Sequence, residues 1–348
     1  MRYRRVMSSP TRRVFLAAVL LLLAPVGAHA APALRFGIQT PNQNAGWDEI
    51  RDVWREAEAL GFDSAWVFDH FVPIFGDEDD PCFEGWTLLA ALAAETKRMR
   101  IGVLVTGNTY RHPAVLAKMA TTVDHVSGGR LLLGIGAGWF EREHEAYGIH
   151  FGTPRERAQR LEEALQVITK LWSEDHPSLR GKFYSLDRAP YAPPNVQKPR
   201  PPIIIGGQGK KWIVPLVARY GDGWNAVTGV GVDGIRERRE IIAAECRRIG
   251  RTDCPTYVSV LLPLVAITKV PLAGPAVRLG ARAVVRKEVA REILADSPSA
   301  IRDRIRTYAD AGANEIILSL RAPFDVDLLR RFAAEVMPAF RGAAPPAS

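Results

Sequence analysis

Short apolar runs recur along the chain, and a stretch with helical periodicity follows each one. The runs cover residues 34–40, 64–70, 100–106, 130–136, 202–207, 223–227, 257–262 and 315–320. They are rich in Val, Ile and Leu without strict alternation, which suits strands buried on both faces of a parallel sheet. In the stretch 48–60 the residues Ile50, Val53, Trp54, Ala57 and Leu60 fall on one helical face, and Gly61 supplies a stop signal. Residues 86–96, 113–126, 155–172, 212–220, 233–249, 299–311 and 326–337 read the same way. Pro113 and Pro298 sit near helix starts, where a missing N–H is tolerated. Eight strand–helix units predict an α/β fold of the (β/α)8 TIM-barrel type, with an open doubly wound sheet as the rival.

The 348 residues, 47% hydrophobic and 24% charged, give room for one decorated barrel of about 250 residues or for two smaller domains. Such a chain buries a large core without needing a disulfide or a metal. Residues 72–84, the proline-rich 173–200, and 263–296 interrupt the repeat. Loops after the strands' C-terminal ends build a barrel's active site, so these insertions are expected at that face as candidate lids. The barrel is assigned to 31–341 and a flexible tail to 342–348.

Residues 1–30 have the layout of a secretory signal. Arg2, Arg4, Arg5, Arg12 and Arg13 precede a thirteen-residue apolar run at 14–26, and Ala28-His29-Ala30 follows. The run falls short of the roughly 20 residues that span a bilayer. Arg12-Arg13 with Phe15-Leu16 behind it resembles a twin-arginine export signal; an ordinary Sec signal or an uncleaved anchor is the alternative. The expectation is a protein exported to the periplasm or cell envelope, with no stable membrane insertion after cleavage. The formal charge of +8 belongs largely to this segment: its removal leaves 41 basic against 38 acidic groups. A balanced surface gives no support for a nucleic-acid partner. Cys82, Cys246 and Cys254 form neither a disulfide framework nor a zinc pattern; Cys246 and Cys254 could pair after export, though no spacing rule demands it.

Phe68-Asp69-His70 ends the second apolar run. A histidine titrates near neutrality, so at a barrel strand's C-terminal end it is a candidate proton donor or acceptor. Asp69 either orients it or points into the barrel wall, and a solvent-facing loop histidine is the bland alternative. Gly134, Gly136 and Gly138 alternate at the end of the fourth run and would let a flat ligand approach the backbone, although GxGxG is not the dinucleotide spacing GxGxxG. Gly206-Gly207-Gln208-Gly209-Lys210-Lys211 joins the fifth run to a helix. Backbone N–H groups and two cations there suit a phosphate, as they equally suit a tight turn with solvated lysines. Glu141-Arg142-Glu143-His144 holds one Glu-x-x-His pair where a di-iron site needs two, and reads as a surface helix. No metal site is expected. Trp47, Trp66, Trp86, Trp139 and Trp224 fall near strand ends or loops, to line a pocket for a planar ligand or to fill the core.

Taken together these stretches resemble the bacterial luciferase-like monooxygenase superfamily, in the branch of oxidoreductases that use the deazaflavin coenzyme F420. The resemblance rests on Ala57-Glu58-Ala59-Leu60-Gly61-Phe62-Asp63, Trp66-Val67-Phe68-Asp69-His70, Thr106-Gly107-Asn108-Thr109-Tyr110-Arg111-His112-Pro113, Ser127-Gly128-Gly129-Arg130, the glycine run through Gly138-Trp139, and Tyr220-Gly221-Asp222-Gly223-Trp224-Asn225. It implies a TIM barrel with the flavin at its C-terminal face. The ring would lie beside Asp69 and His70, Val105, Thr106, Gly107 and Asn108, and Gly136, Ala137, Gly138 and Trp139, with a cis non-proline peptide within 103–106 behind it. The phosphate would sit at Gly206, Gly207 and Gln208, and Trp224 would complete the cofactor site. His70 would give or take the proton opposite the transferred hydride, Asp69 would support it, and Trp47, Phe71 and Trp139 would line the substrate pocket. Sugar-phosphate dehydrogenases of this branch have a catalytic glutamate where this chain has Trp139, which favours a more apolar or aromatic substrate here.

The resemblance thus implies an exported oxidoreductase moving a hydride between coenzyme F420 and an organic carbonyl, alcohol or activated alkene. An FMN-dependent monooxygenase fed by a separate flavin reductase is the alternative, and a non-catalytic envelope flavin-binding protein the third reading. The expected partner is a small-molecule substrate, and a homodimer is compatible with the resemblance.

Overall fold

Parallel strands close into a barrel in the computed structural model, which describes residues 33–227, 229–263 and 297–341. The strands are β1 Arg35–Gln39, β2 Ser64–Val67, β3 Arg100–Val103, β4 Leu131–Gly136, β5 Ile203–Gly206, β6 Gly223–Ala226, β7 Tyr257–Pro263 and β8 Glu315–Ser319. Each pairs with its neighbours in chain order, and β8 pairs with β1, Glu315 opposite Arg35 and Ser319 opposite Gln39. That last ladder excludes the open doubly wound sheet. Around the ring stand α1 Trp47–Ala59, α2 Gly85–Glu95, α3 Pro113–Ser127, α4 Glu141–Ala146, α5 Pro154–Ser173, α6 Val214–Tyr220, α7 Gly231–Ile249, α8 Pro298–Asp310 and α9 Val326–Glu335.

Local chemistry fixes the helix starts. Thr153, Ser297 and Asp325 cap α5, α8 and α9 by accepting a backbone N–H, and Pro113, Pro154 and Pro298 occupy first-turn positions that need no donor. Both faces of the sheet are dry. Trp66, Leu104, Leu132, Ile204 and Ile317 fill the inside of the barrel, while Phe36, Ile38, Leu133 and Ile205 face the helices. This double burial is why the strand sequences read as continuous apolar runs.

The third strand is interrupted. Ile101 and Gly102 pair with Leu131 and Leu132; the chain then passes through a cis Leu104–Val105 peptide and pairs again as Thr106–Gly107 against Ile135 and Gly136. The cis bond falls within the expected 103–106. The detour stands the Val105 side chain over the ends of β4 and β5. A Cβ at Gly136 would lie 2.9 Å from Val105 Cγ2, and one at Gly206 would lie 2.7 Å from Val105 Cγ1. At Gly134 a Cβ would meet the Val103 carbonyl oxygen at 2.1 Å. The glycines therefore admit the neighbouring kinked strand, a different reason from the ligand approach read in the sequence.

The segment 173–200 corrects its reading as a lid. From the foot of α5 it climbs as a hairpin, Leu179–Arg180 against Ser185–Leu186, to bring Tyr184 against His112 at the start of α3. It then runs back along α3. The Tyr191 hydroxyl donates to the Ala117 carbonyl at 2.7 Å, and Asp124 accepts the backbone N–H groups of Val196 and Gln197 at 2.8 and 3.0 Å. Only its tip reaches the barrel mouth. The loop 72–84 is pinned to the end of β1, Gln43 accepting from the Ile74 N–H at 2.9 Å. Cys246 and Cys254 are joined in a disulfide that ties the end of α7 to the turn before β7. One compact unit begins at Ala33. The signal at 1–30, nearly all of the insertion 263–296, and the tail 342–348 lie outside the described residues. Among the described residues no helix is long and apolar enough to cross a membrane.

Replacing Gly206 by Ala forces a methyl group against Val105, and overpacking of this kind costs about 1–3 kcal/mol. Urea unfolding should show that loss, and Val105→Ala in the same chain should recover most of it. Additive losses would mean that Gly206 is required for another reason.

Candidate active site

Strand ends and short loops converge at the C-terminal rim. His70 follows β2 and is 8% exposed, with its ring edge-on to Phe68, Trp139 and Phe140 at centroid distances of 4.9, 5.6 and 5.8 Å. Its Nδ1 lies 2.7 Å from Oε1 of Glu143 on α4. Glu143 is fully buried. Its carboxylate also accepts the Phe71 backbone N–H at 2.9 Å and the Tyr110 hydroxyl. Burial pushes the Glu143 carboxyl up, but the contacts from His70, Tyr110 and Phe71 outweigh it and hold the group below its ordinary value. The Tyr110 phenol is raised well above its usual range by burial and by the same carboxylate.

Asp69 does not support His70, contrary to expectation. It faces the other way, where Arg111 Nη1 and Nη2 donate to its two oxygens at 2.7 and 2.9 Å and the Gly107 N–H donates at 3.1 Å. Arg111 also donates to Glu84, which in turn caps α2 by accepting the Trp86 and Thr87 N–H groups. Burial pushes the Asp69 carboxyl up against the pull of Arg111. The pair braces the β2 and β3 loops against each other. Its fork geometry suits two fully used oxygens.

The surface helix expected at 141–144 is also corrected: Glu143 and His144 have no exposed surface. His144 Nδ1 donates to the Phe140 carbonyl at 2.7 Å, and its Nε2 lies 2.7 Å from the Thr109 hydroxyl. Those bonds pin α4 over the rim and deliver Glu143 to His70. The polar residues of so short a helix gave no periodic signal of burial. Their one clue was position, directly after a strand end rich in glycine. Tyr110 and Arg111 belong to the stretch 106–113 that carries the resemblance, and their roles emerge only from these contacts.

The remaining expected residues divide into rim and support. Val105 and Asn108 stand at the mouth. Asn108 is 2% exposed; its N–H donates to the Gly136 carbonyl at 3.0 Å, while neither atom of its side-chain amide has a hydrogen-bond partner. The Tyr184 phenol lies by that amide, which draws its titration down against the larger upward push of burial. Trp139 is 64% exposed beside His70, and Phe71 packs on Tyr110 and Tyr147. Thr106, by contrast, is buried and accepts from Trp86 Nε1 at 3.0 Å. Ala137 packs on the core, and the Gly138 carbonyl accepts from Arg157 at 3.2 Å. Trp224 is wholly buried, its Nε1 donating to the Gly207 carbonyl at 2.8 Å, so it shapes the loop after β5 from beneath. Arg238 holds the Gln208 carbonyl of that loop at 3.2 Å, while Lys210 is paired with Glu237. Trp47 opens α1 and packs on the core. An open cavity of about 500 Å³ between Thr153, Arg155, Gln159 and Phe183 includes none of these residues. No group of metal-ligating side chains occurs among the described residues.

An unpartnered buried amide at Asn108 beside the Val105 shelf is what a flat polar cofactor would satisfy, since such groups are costly to leave unbonded. The residues present fit a flavin-type ring, although the Gly207 and Gln208 carbonyls of the loop beyond are already taken by Trp224 and Arg238. Comparison with known proteins points the same way. The model of the family described as luciferase-like monooxygenase matches residues 33–269. An F420-dependent glucose-6-phosphate dehydrogenase of Kineococcus radiotolerans is 29% identical over 91% of this chain and 99% of its own. An FMNH(2)-dependent dimethylsulfone monooxygenase of Pseudomonas putida is 29% identical over 60% of this chain and 56% of its own. A solved F420-dependent secondary alcohol dehydrogenase, in complex with an F420-acetone adduct, superposes with a TM-score of 0.77 at 22% identity, covering 89% of this chain and 99% of the other. At that identity the likeness speaks for the fold.

Asp69→Asn should destabilise the protein by about 3 kcal/mol, the lower end for breaking a buried pair, because Arg111 keeps Glu84. Urea unfolding measures it. A loss below 0.5 kcal/mol, the usual range for surface changes, would show that the pair does not brace the loops.

Proposed function

The chain belongs to the luciferase-like monooxygenase family and is an oxidoreductase, and from that premise we propose that it transfers a hydride between coenzyme F420 and an organic carbonyl, alcohol or activated alkene. The observation that carries this reading is the buried His70–Glu143 pair at the rim. A deazaflavin supplies two-electron hydride exchange when bound. Val105, Asn108 and the loop after β5 would hold it. His70 gives or takes the proton on the substrate oxygen. Support for F420 over FMN comes from relatives so named that this chain matches over nearly their whole length, whereas the FMNH(2)-dependent relatives are matched over little more than half.

The exposed Trp139 beside His70, with Phe71 and Phe140 near it, supports an apolar or aromatic substrate rather than a sugar phosphate. Two observations support export to the cell envelope. The N-terminal thirty residues have the signal layout, and the Cys246–Cys254 disulfide suits an oxidising compartment.

Titration of the purified protein with each cofactor should show binding of F420, weakened by Asn108→Leu, and His70→Ala should lower kcat about 10²–10⁴-fold, the usual span for an acid–base group. Tight FMN binding with no F420 binding would sink the deazaflavin reading and leave the FMN monooxygenase. For export, Arg12-Arg13 replaced by Lys-Lys should keep the protein in the cytoplasm; undiminished export would rule out the twin-arginine route.

A further inference from the structure

The acid–base group of the reaction has a positioning residue on α4, outside the stretches that carry the family resemblance. We infer that Glu143, as an ionised carboxylate, fixes the proton of neutral His70 on Nδ1 and so leaves Nε2 as the atom that exchanges a proton with substrate. The inference rests on the proposed acid–base role of His70.

Three groups meet one carboxylate. The Phe71 N–H can only donate, and it occupies Oε2 at 2.9 Å. Oε1 takes both His70 Nδ1, at 2.7 Å, and the Tyr110 hydroxyl. An ionised carboxylate can only accept, so facing it His70 Nδ1 must carry the proton, and its two oxygens have lone pairs for all three contacts. The direction of the Glu143 titration agrees, held down by these contacts despite full burial. The neighbouring titratable groups leave this role to Glu143. Asp69 and Glu84 are taken up by Arg111. His144 is bound to the Phe140 carbonyl and Thr109, and the Cys82 thiol is pushed up to about 12 by burial and by the Glu143 charge. Tyr110 stays protonated and serves as a donor.

The consequence for the reaction is a defined proton path. In alcohol oxidation a bound deazaflavin, once held by Val105, Asn108 and the loop after β5, would supply the acceptor for the hydrogen and electron pair of the broken carbon–hydrogen bond. The oxygen–hydrogen bond breaks and its proton passes to His70 Nε2 as the carbon–oxygen double bond forms. The imidazolium so produced lies against the Glu143 carboxylate, and in the reverse direction Nε2 returns the proton. A histidine with its proton on Nε2 could not take the first proton at that atom.

The test is the ¹⁵N spectrum of the His70 ring in the full-length protein at neutral pH, assigned by the signal lost in His70→Gln. Wild type should carry the proton on Nδ1. Glu143→Gln should move a substantial fraction to Nε2 and lower kcat at least about tenfold with KM changed less than about threefold. Glu143→Asp, which keeps the charge, should restore part of both. A wild-type ring with its proton on Nε2, or an unchanged tautomer in Glu143→Gln, overturns the inference, and the first of these is read on the wild-type protein and needs no substitution at Glu143. Unchanged turnover in His70→Ala would instead remove the acid–base reading, so the two failures are distinct.

Discussion

Parallel pairing of β8 with β1 closes the sheet, and a closed parallel sheet directs every strand's C-terminal end to one rim. Both faces of the strands are then buried, so polar side chains with a chemical task can only sit at that rim or in the loops above it. The third strand departs from this regularity. Its detour through Val105 needs space, and Gly134, Gly136 and Gly206 on the two neighbouring strands provide it. Packing inside the barrel and shape at its mouth are therefore one problem, solved by a bulky side chain on one strand and missing side chains on the next two.

Two carboxylates organise the rim, and they do different work. Asp69 forms a structural pair with Arg111, joined through Glu84 to the start of α2. Glu143 draws together His70, Phe71 and Tyr110 from two separate loops. Each buried charge is surrounded by donors, the condition under which burial is tolerated. Among the described residues, the buried side-chain amide without a hydrogen bond is that of Asn108, three positions after Val105. Trp139 and Phe140 beside His70 give this mouth an apolar margin, while Phe71 packs on Tyr110 and Tyr147.

Much of the barrel was legible because burial on both faces writes itself into composition. Seven of the eight strands lie within the apolar runs and β7 overruns its own by one residue, and the capping residues and prolines lie where the helices begin. The rim was legible where a motif placed a residue at a strand end, as with His70. It was not legible where side chains had a choice of direction. Asp69 and His70 are adjacent in sequence yet turn to different partners, and nothing in a dipeptide decides that. Glu143 and His144 sit on a six-residue helix too short to show periodicity, and both are buried because loops from elsewhere cover them.

By itself, then, the sequence determined the alternation of strand and helix, the glycine-bearing strand ends, the N-terminal signal layout and the family resemblance, since each is recorded locally in residue type and spacing. Tertiary structure alone decided that Glu143 rather than Asp69 holds His70, that Trp224 supports a loop from beneath, that 173–200 braces α3, and that Cys246 meets Cys254. These depend on which surfaces face one another after the ring closes. Pairings between residues dozens of positions apart, such as His70 with Glu143, are set by strand register and loop path, which no local pattern encodes.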